Sequence, residues 1–340
     1  MGADSPLRLP LIITRTPYRM SFFGGGSDNR EWYERNGGCI LTSSLNKYCY
    51  LSARRLPPFF DYKHRIVWSK LETVNSAEEI EHPAIRACLK YAGINYGVEI
   101  HHDGDLPARS GLGSSSAFTV GLLHALHGLE SESRSRRALA VEAIEVEQVI
   151  LKEAVGIQDQ IECAHGGLNM ITIGTDGSWY VEPVVLPKAR LEEFQNHIML
   201  FYTGQTRFSS QISAATVAAI ASGVKDPELH KLAGMAREAH DILTSGASLK
   251  PLGQMLDLSW QIKRRMSPAV TTERIDEMYW AARHAGALGG KLLGAGGGGF
   301  MMLMVEPDDQ ARVRAALANF LEIPFAFDFT GTQTIFVNGG

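Results

Sequence analysis

The stretch that decides the fold is residues 107–117, Pro107-Ala-Arg-Ser-Gly-Leu-Gly-Ser-Ser-Ser-Ala117. It lies between a predicted strand at 98–102 and a predicted helix at 115–126, which is rich in Ala, Val and Leu. A glycine-rich turn that opens directly into a helix binds anions, because the first-turn amides lack intrahelical partners and the helix dipole is positive there. Three consecutive serines exceed what a helix cap needs, so phosphate binding is favoured over the alternative, a capped tight turn.

Two further glycine clusters stand on either side of this stretch, at residues 24–26 and 294–299. Glycine loses more conformational entropy on folding than other residues, so dense clusters need a structural reason. The usual reason is a backbone that turns tightly or approaches a ligand closely. All three clusters are therefore candidate parts of a binding site.

Three well-known motif classes do not fit these clusters. A Walker pattern is absent because no lysine follows the glycines of 111–113. Gly294-x-Gly296-x-x-Gly299 matches a dinucleotide fingerprint formally, but Phe-Met-Met-Leu-Met-Val follows it and predicts a strand where the fingerprint needs a helix. A serine-hydrolase elbow fails because Ala117 stands where its last glycine would be.

The composition of the 340 residues, 45% hydrophobic and 21% charged, is typical of a globular protein with a full core. It excludes a disordered chain, a collagen-like chain and a coiled coil. The net charge of −4 provides no general attraction to nucleic acid or to an anionic membrane. The longest apolar run is too short to span a bilayer, and the prolines and arginines near the N-terminus interrupt any signal-peptide core. We therefore expect a cytoplasmic protein whose four cysteines are reduced.

The order of predicted elements indicates an α+β fold of two closely packed lobes. We predict an N-terminal lobe at 1–200, with mixed strands and helices, and a C-terminal lobe at 201–340 that is rich in helix and holds a small antiparallel sheet. Ser76 and Glu79 form a capping-box pattern that predicts a helix over 77–92. A second helix is predicted over 137–152, and separate strands over 40–41 and 48–54.

In order and spacing, the three glycine clusters resemble the motifs of the GHMP kinase superfamily, named for galactokinase, homoserine kinase, mevalonate kinase and phosphomevalonate kinase. Thr16-Pro-Tyr-Arg-Met-Ser-Phe-Phe-Gly-Gly-Gly-Ser-Asp28 resembles the first motif. Residues 107–117 resemble the second, which binds the ATP phosphates, and Lys291-Leu-Leu-Gly-Ala-Gly-Gly-Gly-Gly-Phe300 resembles the third. The resemblance covers nearly the whole chain and implies the two-lobe α+β fold of these kinases.

Within the superfamily, the chain is most similar to D-glycero-D-manno-heptose 7-phosphate kinases and related sugar 1-kinases. This similarity rests on Ser27-Asp28 after the triple glycine and on four further segments: Glu147-Gln148, Val155-Gly-Ile-Gln-Asp-Gln160, Gly166-Gly-Leu-Asn169 and Tyr202-Thr-Gly-Gln-Thr-Arg207. It implies transfer of the γ-phosphoryl of ATP to the anomeric hydroxyl of a heptose phosphate. Such a product feeds nucleotide-activated heptose for surface polysaccharides such as lipopolysaccharide or capsule.

The resemblance also implies roles for individual residues. Asp159 matches the catalytic Asp of these kinases, which takes or orients the proton of the attacking hydroxyl, and Arg19 assists it. Glu147 and Ser115 match the Mg²⁺ ligands. The phosphate-binding loop is expected to comprise Gly111, Leu112, Gly113, Ser114, Ser115 and Ser116. The residues expected to face the sugar are Gly25, Gly26, Ser27, Asp28, Gly296 and Gly297. Three cations are candidates for the distant phosphate, Arg109, Lys188 and Arg207, of which Arg207 is favoured because it lies in the Thr-Gly-Gln-Thr-Arg segment.

Two alternatives stay open at this stage. One is an anomeric kinase for another sugar, an octose or a hexose as in galactokinases, because phosphate motifs do not set sugar specificity. The other is a non-catalytic protein that senses sugar and ATP, for which loss of Asp159 or Glu147 would be the signature, and both are present. The expected ligands are ATP, Mg²⁺ and a sugar phosphate, with no nucleic acid and no membrane; a homo-oligomer stays open.

Overall fold

A computed structural model describes residues 10–204 and 209–338. The strands are β1 Leu11–Phe23, β2 Gly38–Arg55, β3 His64–Val67, β4 Leu71–Val74, β5 Val98–Gly104, β6 Leu168–Ile173, β7 Trp179–Pro183, β8 Ile198–Tyr202, β9 Gly289–Leu292, β10 Phe300–Met304, β11 Leu321–Glu322, β12 Phe327–Asp328 and β13 Gln333–Asn338. The helices are α1 Arg30–Asn36, α2 Pro83–Tyr91, α3 Ser114–Leu129, α4 Arg136–Ile144, α5 Gln158–His165, α6 Lys188–Asn196, α7 Ser209–Ala221, α8 Asp226–Ser245, α9 Lys250–Arg264, α10 Glu273–His284 and α11 Gln310–Ala316.

A large mixed sheet is built around the long strand β2. Its main path runs β13-β1-β2-β5-β3-β4, while β6, which also pairs with β7, and β12 pair with β2 outside this path. One half of β2 pairs with β5 and the other half with β6, and the only parallel pair recorded in the described sheets joins β3 to β5. Helices α3 and α5 pack against each other and against β1. This packing brings residues of the first and second glycine-rich motifs to one end of the sheet.

A smaller antiparallel sheet, in the order β11-β8-β10-β9, follows in the helix-rich part of the chain. Strand β10 is buried along its whole length and comes directly after the third glycine cluster, as predicted. A second apolar cluster that includes Phe201, Trp260 and Tyr279 covers this sheet. No helix within the described ranges has the length and apolar character needed to cross a membrane. The predicted α+β class is confirmed.

The chain crosses between the two sheets more than once. Strand β8 lies in the smaller sheet, and β12 and β13 return to the large one, where β13 pairs with β1. The division into lobes at 1–200 and 201–340 stays a prediction. What the pairing shows is that the last described strand covers the outer edge of β1.

Three local predictions differ from the structure. The segment predicted as one helix over 77–92 forms a 3₁₀ turn at Ala77–Glu79 and then α2, because Pro83 begins the helix and holds His82 in an extended conformation. The predicted helix over 137–152 is α-helical only to Ile144 and continues as a π-helical turn, Glu145–Ile150. The two strands predicted at 40–41 and 48–54 are parts of the single strand β2.

The second and third glycine clusters pack backbone against backbone. A methyl group at Gly294 would lie 2.4 Å from the Cα of Gly111, and one at Gly299 would lie 2.2 Å from the carbonyl oxygen of Ser110. Gly294 and Gly299 also have positive φ angles, 71° and 100°. Glycine adopts such φ angles readily and has no side chain. Glycine is therefore required at both positions for the close approach of the two loops.

We expect Gly299→Ala to lower the free energy of unfolding by about 3 kcal/mol, because the added methyl group strains the backbone and overlaps Ser110. Urea denaturation measures the change. Gly234→Ala in α8 is the matched control, because a methyl group there meets nothing within 4 Å. It should leave stability unchanged or raise it by up to about 1 kcal/mol. Equal stabilities of the two variants would contradict the packing role of Gly299.

Candidate active site

Arg19 on β1 and Asp159 in the first turn of α5 form a bidentate ion pair. The Nε and Nη2 atoms of Arg19 each donate a hydrogen bond of 2.6 Å to one carboxylate oxygen of Asp159. The remaining guanidinium nitrogen, Nη1, donates to the carbonyl oxygen of Gly111 at 2.7 Å, and the Arg19 amide donates to the carbonyl of Leu112. Burial acts to lower the pKa of Arg19, but the Asp159 charge outweighs it and the net pKa is raised. The pair therefore ties the predicted catalytic residue to the glycine-rich loop.

The glycine-rich loop enters α3 without a side-chain cap. The N-cap residue is Gly113, which has a left-handed conformation with φ 72° and no side chain that could accept a hydrogen bond from the first-turn amides. This arrangement favours the anion site over the capped turn that the sequence left open. Ser114 accepts a hydrogen bond from the Arg109 amide at 3.0 Å, and Leu112 is buried, so Leu112 can offer a ligand only its backbone.

Glu147 is buried beneath the first turn of α3. It lies in the π-helical turn after α4, where Ser116 donates to its Oε2 atom at 2.9 Å and Gln160 donates to the same oxygen. The other oxygen, Oε1, has no hydrogen-bond partner among the described residues. Burial, helped by the charge of Glu153, raises the pKa of Glu147 to about 8. A buried carboxylate oxygen without a partner is a suitable ligand for a cation.

The residues around Glu147 fit the Mg²⁺ ion that was predicted there, and Ser115 as its second ligand stays a prediction. Ser116 touches the carboxylate, whereas Ser115, the predicted second ligand, is exposed on the neighbouring position of α3. Carboxylate and hydroxyl oxygens are hard ligands that Mg²⁺ prefers, together with water and substrate phosphates. Within 10–204 and 209–338 no group of three His, Cys, Asp or Glu side chains forms a metal site, so nucleotide phosphates would have to complete the coordination.

A cavity of about 190 Å³ opens beside the Arg19–Asp159 pair. Asp28 lies in its wall, held by the Gly26 amide at 2.9 Å and by the Gln158 side chain at 3.0 Å. Burial raises the pKa of Asp28, and the charge of Asp159 raises it further. A methyl group at Gly156 would lie 1.8 Å from the Asp28 carboxylate, so this glycine makes room for it. Two carboxylates thus face one cavity, with a guanidinium on one of them.

The structure separates the predicted sugar-facing residues into two groups. Gly25, Gly26 and Asp28 line the cavity. Ser27 is fully buried outside it, where its hydroxyl donates to the carbonyl of Gly24 and accepts a bond from the Cys39 amide. This hydroxyl holds the loop on β2, so the prediction that Ser27 contacts the sugar is not supported by its position.

The third glycine loop meets the cavity at other positions than predicted. Gly294 and Ala295 line it, whereas Gly296 lies against the backbone of Val270, and the Gly297 amide donates to the carbonyl of Val270. Gly296 and Gly297 therefore hold the loop to the segment between α9 and α10. Arg207, the predicted cation for the distant phosphate, lies outside the described residues.

The sequence analysis assigned no role to two basic residues of the cavity. Lys263 at the end of α9 and Lys291 on β9 both line the cavity. Lys291 opens the third motif, and that adjacency was the available signal. Lys263 is one of several basic residues at 263–265, a pattern that is more typical of an exposed helix end.

Aromatic rings lie next to the start of α3. His82 stacks on Phe118 with ring centroids 4.8 Å apart, and Trp68 meets His82 edge-on at 4.9 Å. Burial lowers the pKa of His82 to about 4, so this ring is neutral at neutral pH. The cluster adjoins the short loop between β3 and β4.

Two segments of the chain match domains of one known protein family. Residues 76–167 match the GHMP kinases N terminal domain, and residues 224–323 match the GHMP kinases C terminal domain. The D-glycero-alpha-D-manno-heptose 7-phosphate kinase of Campylobacter jejuni is 25% identical over 334 residues, which cover 95% of this chain and 97% of that protein. A mevalonate kinase of Pyrococcus horikoshii is 26% identical over 69% of this chain and 67% of its own length.

Solved structures share the fold over almost the full length. A D-glycero-D-manno-heptose 1-phosphate kinase from Bacteroides thetaiotaomicron superposes with a TM-score of 0.75 at 23% identity, covering 96% of this chain and 99% of its own. Lactococcus lactis galactokinase, solved with galactose, gives 0.71 at 19% identity, covering 96% and 95%. At these identities the similarity establishes the fold.

A further buried acid, Glu162, lies one turn after Asp159 in α5. Glu162 accepts hydrogen bonds from Ser44 and Asn169, each at 3.0 Å, and burial raises its pKa to about 7. Because the folded-state pKa lies above the ordinary value of 4.5, the folded protein holds a proton that the unfolded chain releases between these two pH values. Stability from this group is therefore complete below about pH 4.5 and is lost as the pH rises towards 7.

We expect Glu162→Gln to remove this pH dependence. From pH 5 to pH 7.5, the free energy of unfolding of the wild-type protein should fall by about 2 kcal/mol more than that of the variant, since each pH unit between the two pKa values contributes at most about 1.4 kcal/mol. Urea denaturation at both pH values measures it. Glu182→Gln, at an exposed position, controls for the loss of one charge. A Glu162→Gln profile parallel to the wild type would refute the assignment.

Proposed function

Because this chain belongs to the GHMP kinase family of phosphotransferases, we propose that it transfers the γ-phosphoryl of MgATP to the anomeric hydroxyl of D-glycero-D-manno-heptose 7-phosphate. The observation that carries the proposal is the Arg19–Asp159 ion pair, which touches the glycine-rich loop on one side and the cavity on the other. A phosphoryl donor and an acceptor hydroxyl would meet at this point. The product, a sugar 1,7-bisphosphate, would serve the synthesis of nucleotide-activated heptose.

The side chains suit an in-line transfer. The acceptor oxygen attacks the γ-phosphorus, the bond from phosphorus to the β,γ-bridging oxygen breaks, ADP leaves, and the hydroxyl proton passes to the Asp159 carboxylate. Arg19 holds that carboxylate in place through both of its oxygens. Its guanidinium also offers positive charge beside the loop, where negative charge accumulates on the transferred group.

The nucleotide side of the site follows from the start of α3. The amides of 113–116 would cradle the phosphates, and Glu147 would hold Mg²⁺ together with Ser115, the predicted ligand, or with its neighbour Ser116, which touches the carboxylate. When bound, Mg²⁺ neutralises charge on the β- and γ-phosphates. The rings of Trp68, His82 and Phe118 would pack against the adenine. Because ATP is the proposed phosphoryl donor, we expect the reaction to take place in the cytoplasm.

The acceptor side rests on Asp28 and on the similarity to heptose kinases. A buried carboxylate can accept hydrogen bonds from two neighbouring sugar hydroxyls, and the absence of side chains at Gly25 and Gly26 leaves space for a seven-carbon sugar. The Campylobacter jejuni relative matches almost from end to end, which favours heptose 7-phosphate over other sugars. Fucokinase proteins also match most of this chain, so another anomeric sugar kinase is the second candidate.

We expect Asp159→Asn to lower kcat by about 10²–10⁴-fold, since the amide keeps the shape of the side chain but cannot accept the hydroxyl proton. Binding of a non-hydrolysable ATP analogue should change by less than threefold, because Asp159 faces the acceptor side. Asp176→Asn, in the exposed turn between β6 and β7, is the matched control. Turnover of Asp159→Asn near the wild-type rate would exclude Asp159 as the base.

The acceptor is tested by ADP release with MgATP across a panel of sugars. The panel contains D-glycero-D-manno-heptose 7-phosphate, sedoheptulose 7-phosphate, mannose, mannose 6-phosphate, galactose, fucose and mevalonate. We expect selective turnover of the manno-heptose phosphate, with the product phosphorylated at C1 by NMR. Turnover of another sugar alone would keep the kinase and replace the acceptor. ATP binding without turnover across the panel would favour a sensor.

A further inference from the structure

Two lysines line the cavity without acidic partners among the described residues: Lys263, near the end of α9, and Lys291, on β9. Within the described ranges neither ammonium group lies within ion-pairing distance of a carboxylate; only backbone carbonyls accept from them. Lys263 donates to the carbonyl of Leu292 at 2.9 Å and to that of Gly294, and Lys291 donates to the carbonyl of Phe22 at 2.8 Å. Lys291 is only 6% exposed.

Such an arrangement is costly unless a ligand compensates it. A buried ammonium without a counter-ion loses hydration that carbonyl contacts replace only in part. Burial lowers the pKa of Lys263 to about 7, and the charge of Arg19 lowers it further; burial and the Lys263 charge lower the pKa of Lys291. Positive charge is therefore left uncompensated on the lysine side of the cavity. Asp159 is already paired with Arg19, and Asp28 acts on Lys291 only through its charge at a distance.

The available donors match an anion with several oxygens. An ammonium group has three N–H donors, and the structure records two hydrogen bonds for Lys263 and one for Lys291. One donor of the first lysine and two of the second therefore remain for a ligand in the cavity. The Gly294 carbonyl that holds Lys263 belongs to the loop packed on Gly111, so this ammonium lies on the side of the cavity nearest the phosphate loop.

We infer that Lys263 and Lys291 form a cation pair that binds a phosphoryl group inside the acceptor cavity. The inference deepens the proposed function and rests on it for the supply of that group. Two sources share this chemistry: the phosphoryl in transfer from ATP, and the phosphate that the acceptor already carries. The competing role is purely structural, in which Lys263 ties the third glycine loop to α9 and Lys291 ties β9 to β1.

Calorimetric titration of the intact protein distinguishes these roles. The probes are inorganic phosphate, a non-hydrolysable ATP analogue with Mg²⁺, heptose 7-phosphate and unphosphorylated heptose, each in two pH 8 buffers that differ in ionisation enthalpy. The wild-type protein should take up protons with a phosphorylated probe, because the bound phosphoryl group raises the pKa of the lysines. The other charged groups facing the lysines, Arg19, Asp28 and Asp159, remain unchanged in the lysine variants.

Lys263→Met and Lys291→Met are expected to lose this proton uptake and to weaken binding of the relevant phosphorylated probe by about 10–100-fold, which corresponds to one lost charge-assisted hydrogen bond. Weakened heptose 7-phosphate binding with unaltered heptose binding identifies the acceptor phosphate. A fall in kcat or in analogue binding, with acceptor KM unchanged, identifies the transferred phosphoryl. Lys263→Arg should restore binding and flatten the alkaline limb of the pH–rate profile, because its charge persists at all pH values tested.

Lys250→Met, at an exposed position of the same helix α9, is the matched control and should behave as wild type. The inference is overturned if the wild-type protein takes up no proton with any phosphorylated probe, a result that needs no variant to fold. It is also overturned if both methionine variants bind every probe within twofold of wild type. Lysine-dependent binding of phosphate or the ATP analogue without heptose turnover would uphold the pair and reject the proposed acceptor.

Discussion

The guanidinium of Arg19 contacts two parts of the site that are far apart in the chain. It holds both carboxylate oxygens of Asp159, 140 positions away, and the carbonyl of Gly111 in the phosphate loop. A buried guanidinium must satisfy its hydrogen-bond donors, and here each of its three nitrogens donates a hydrogen bond. The acceptors are groups that a phosphoryl transfer needs in a fixed geometry. The interaction therefore joins β1, the loop before α3 and the first turn of α5 at one point.

The glycine clusters make that geometry sterically feasible. Gly111 and Gly294 approach so closely that neither could carry a side chain, and Gly113 leaves room for the Arg19 side chain, since a methyl group there would lie 2.9 Å from its Cγ. The N-terminal and C-terminal motifs therefore meet through backbone rather than through side chains. As a result, Gly294 lines the cavity and at the same time packs on Gly111 of the glycine-rich loop.

The site contains buried ionisable groups whose pKa values a bound ligand would shift. Glu147 and Asp28 have raised pKa values because they are buried, while burial lowers those of Lys263 and Lys291. A divalent cation near Glu147 and a phosphoryl group near the lysines would each favour the charged form. Ligand binding thus supplies the counter-charges that the protein alone does not provide, which strengthens electrostatic stabilisation in a poorly hydrated site.

Sequence alone determined the fold class, the glycine-rich turn that opens α3 and the strand after the third glycine cluster, because helix termini, glycine turns and apolar runs are local properties. It also singled out Arg19, Asp159 and Asp28 through the motifs that contain them. Only the tertiary structure decided that Ser116 rather than Ser115 meets Glu147, that Ser27 serves the loop, and that Lys263 enters the cavity. These outcomes depend on a π-helical turn and on contacts between distant segments, and neither has a short-range signature in the chain.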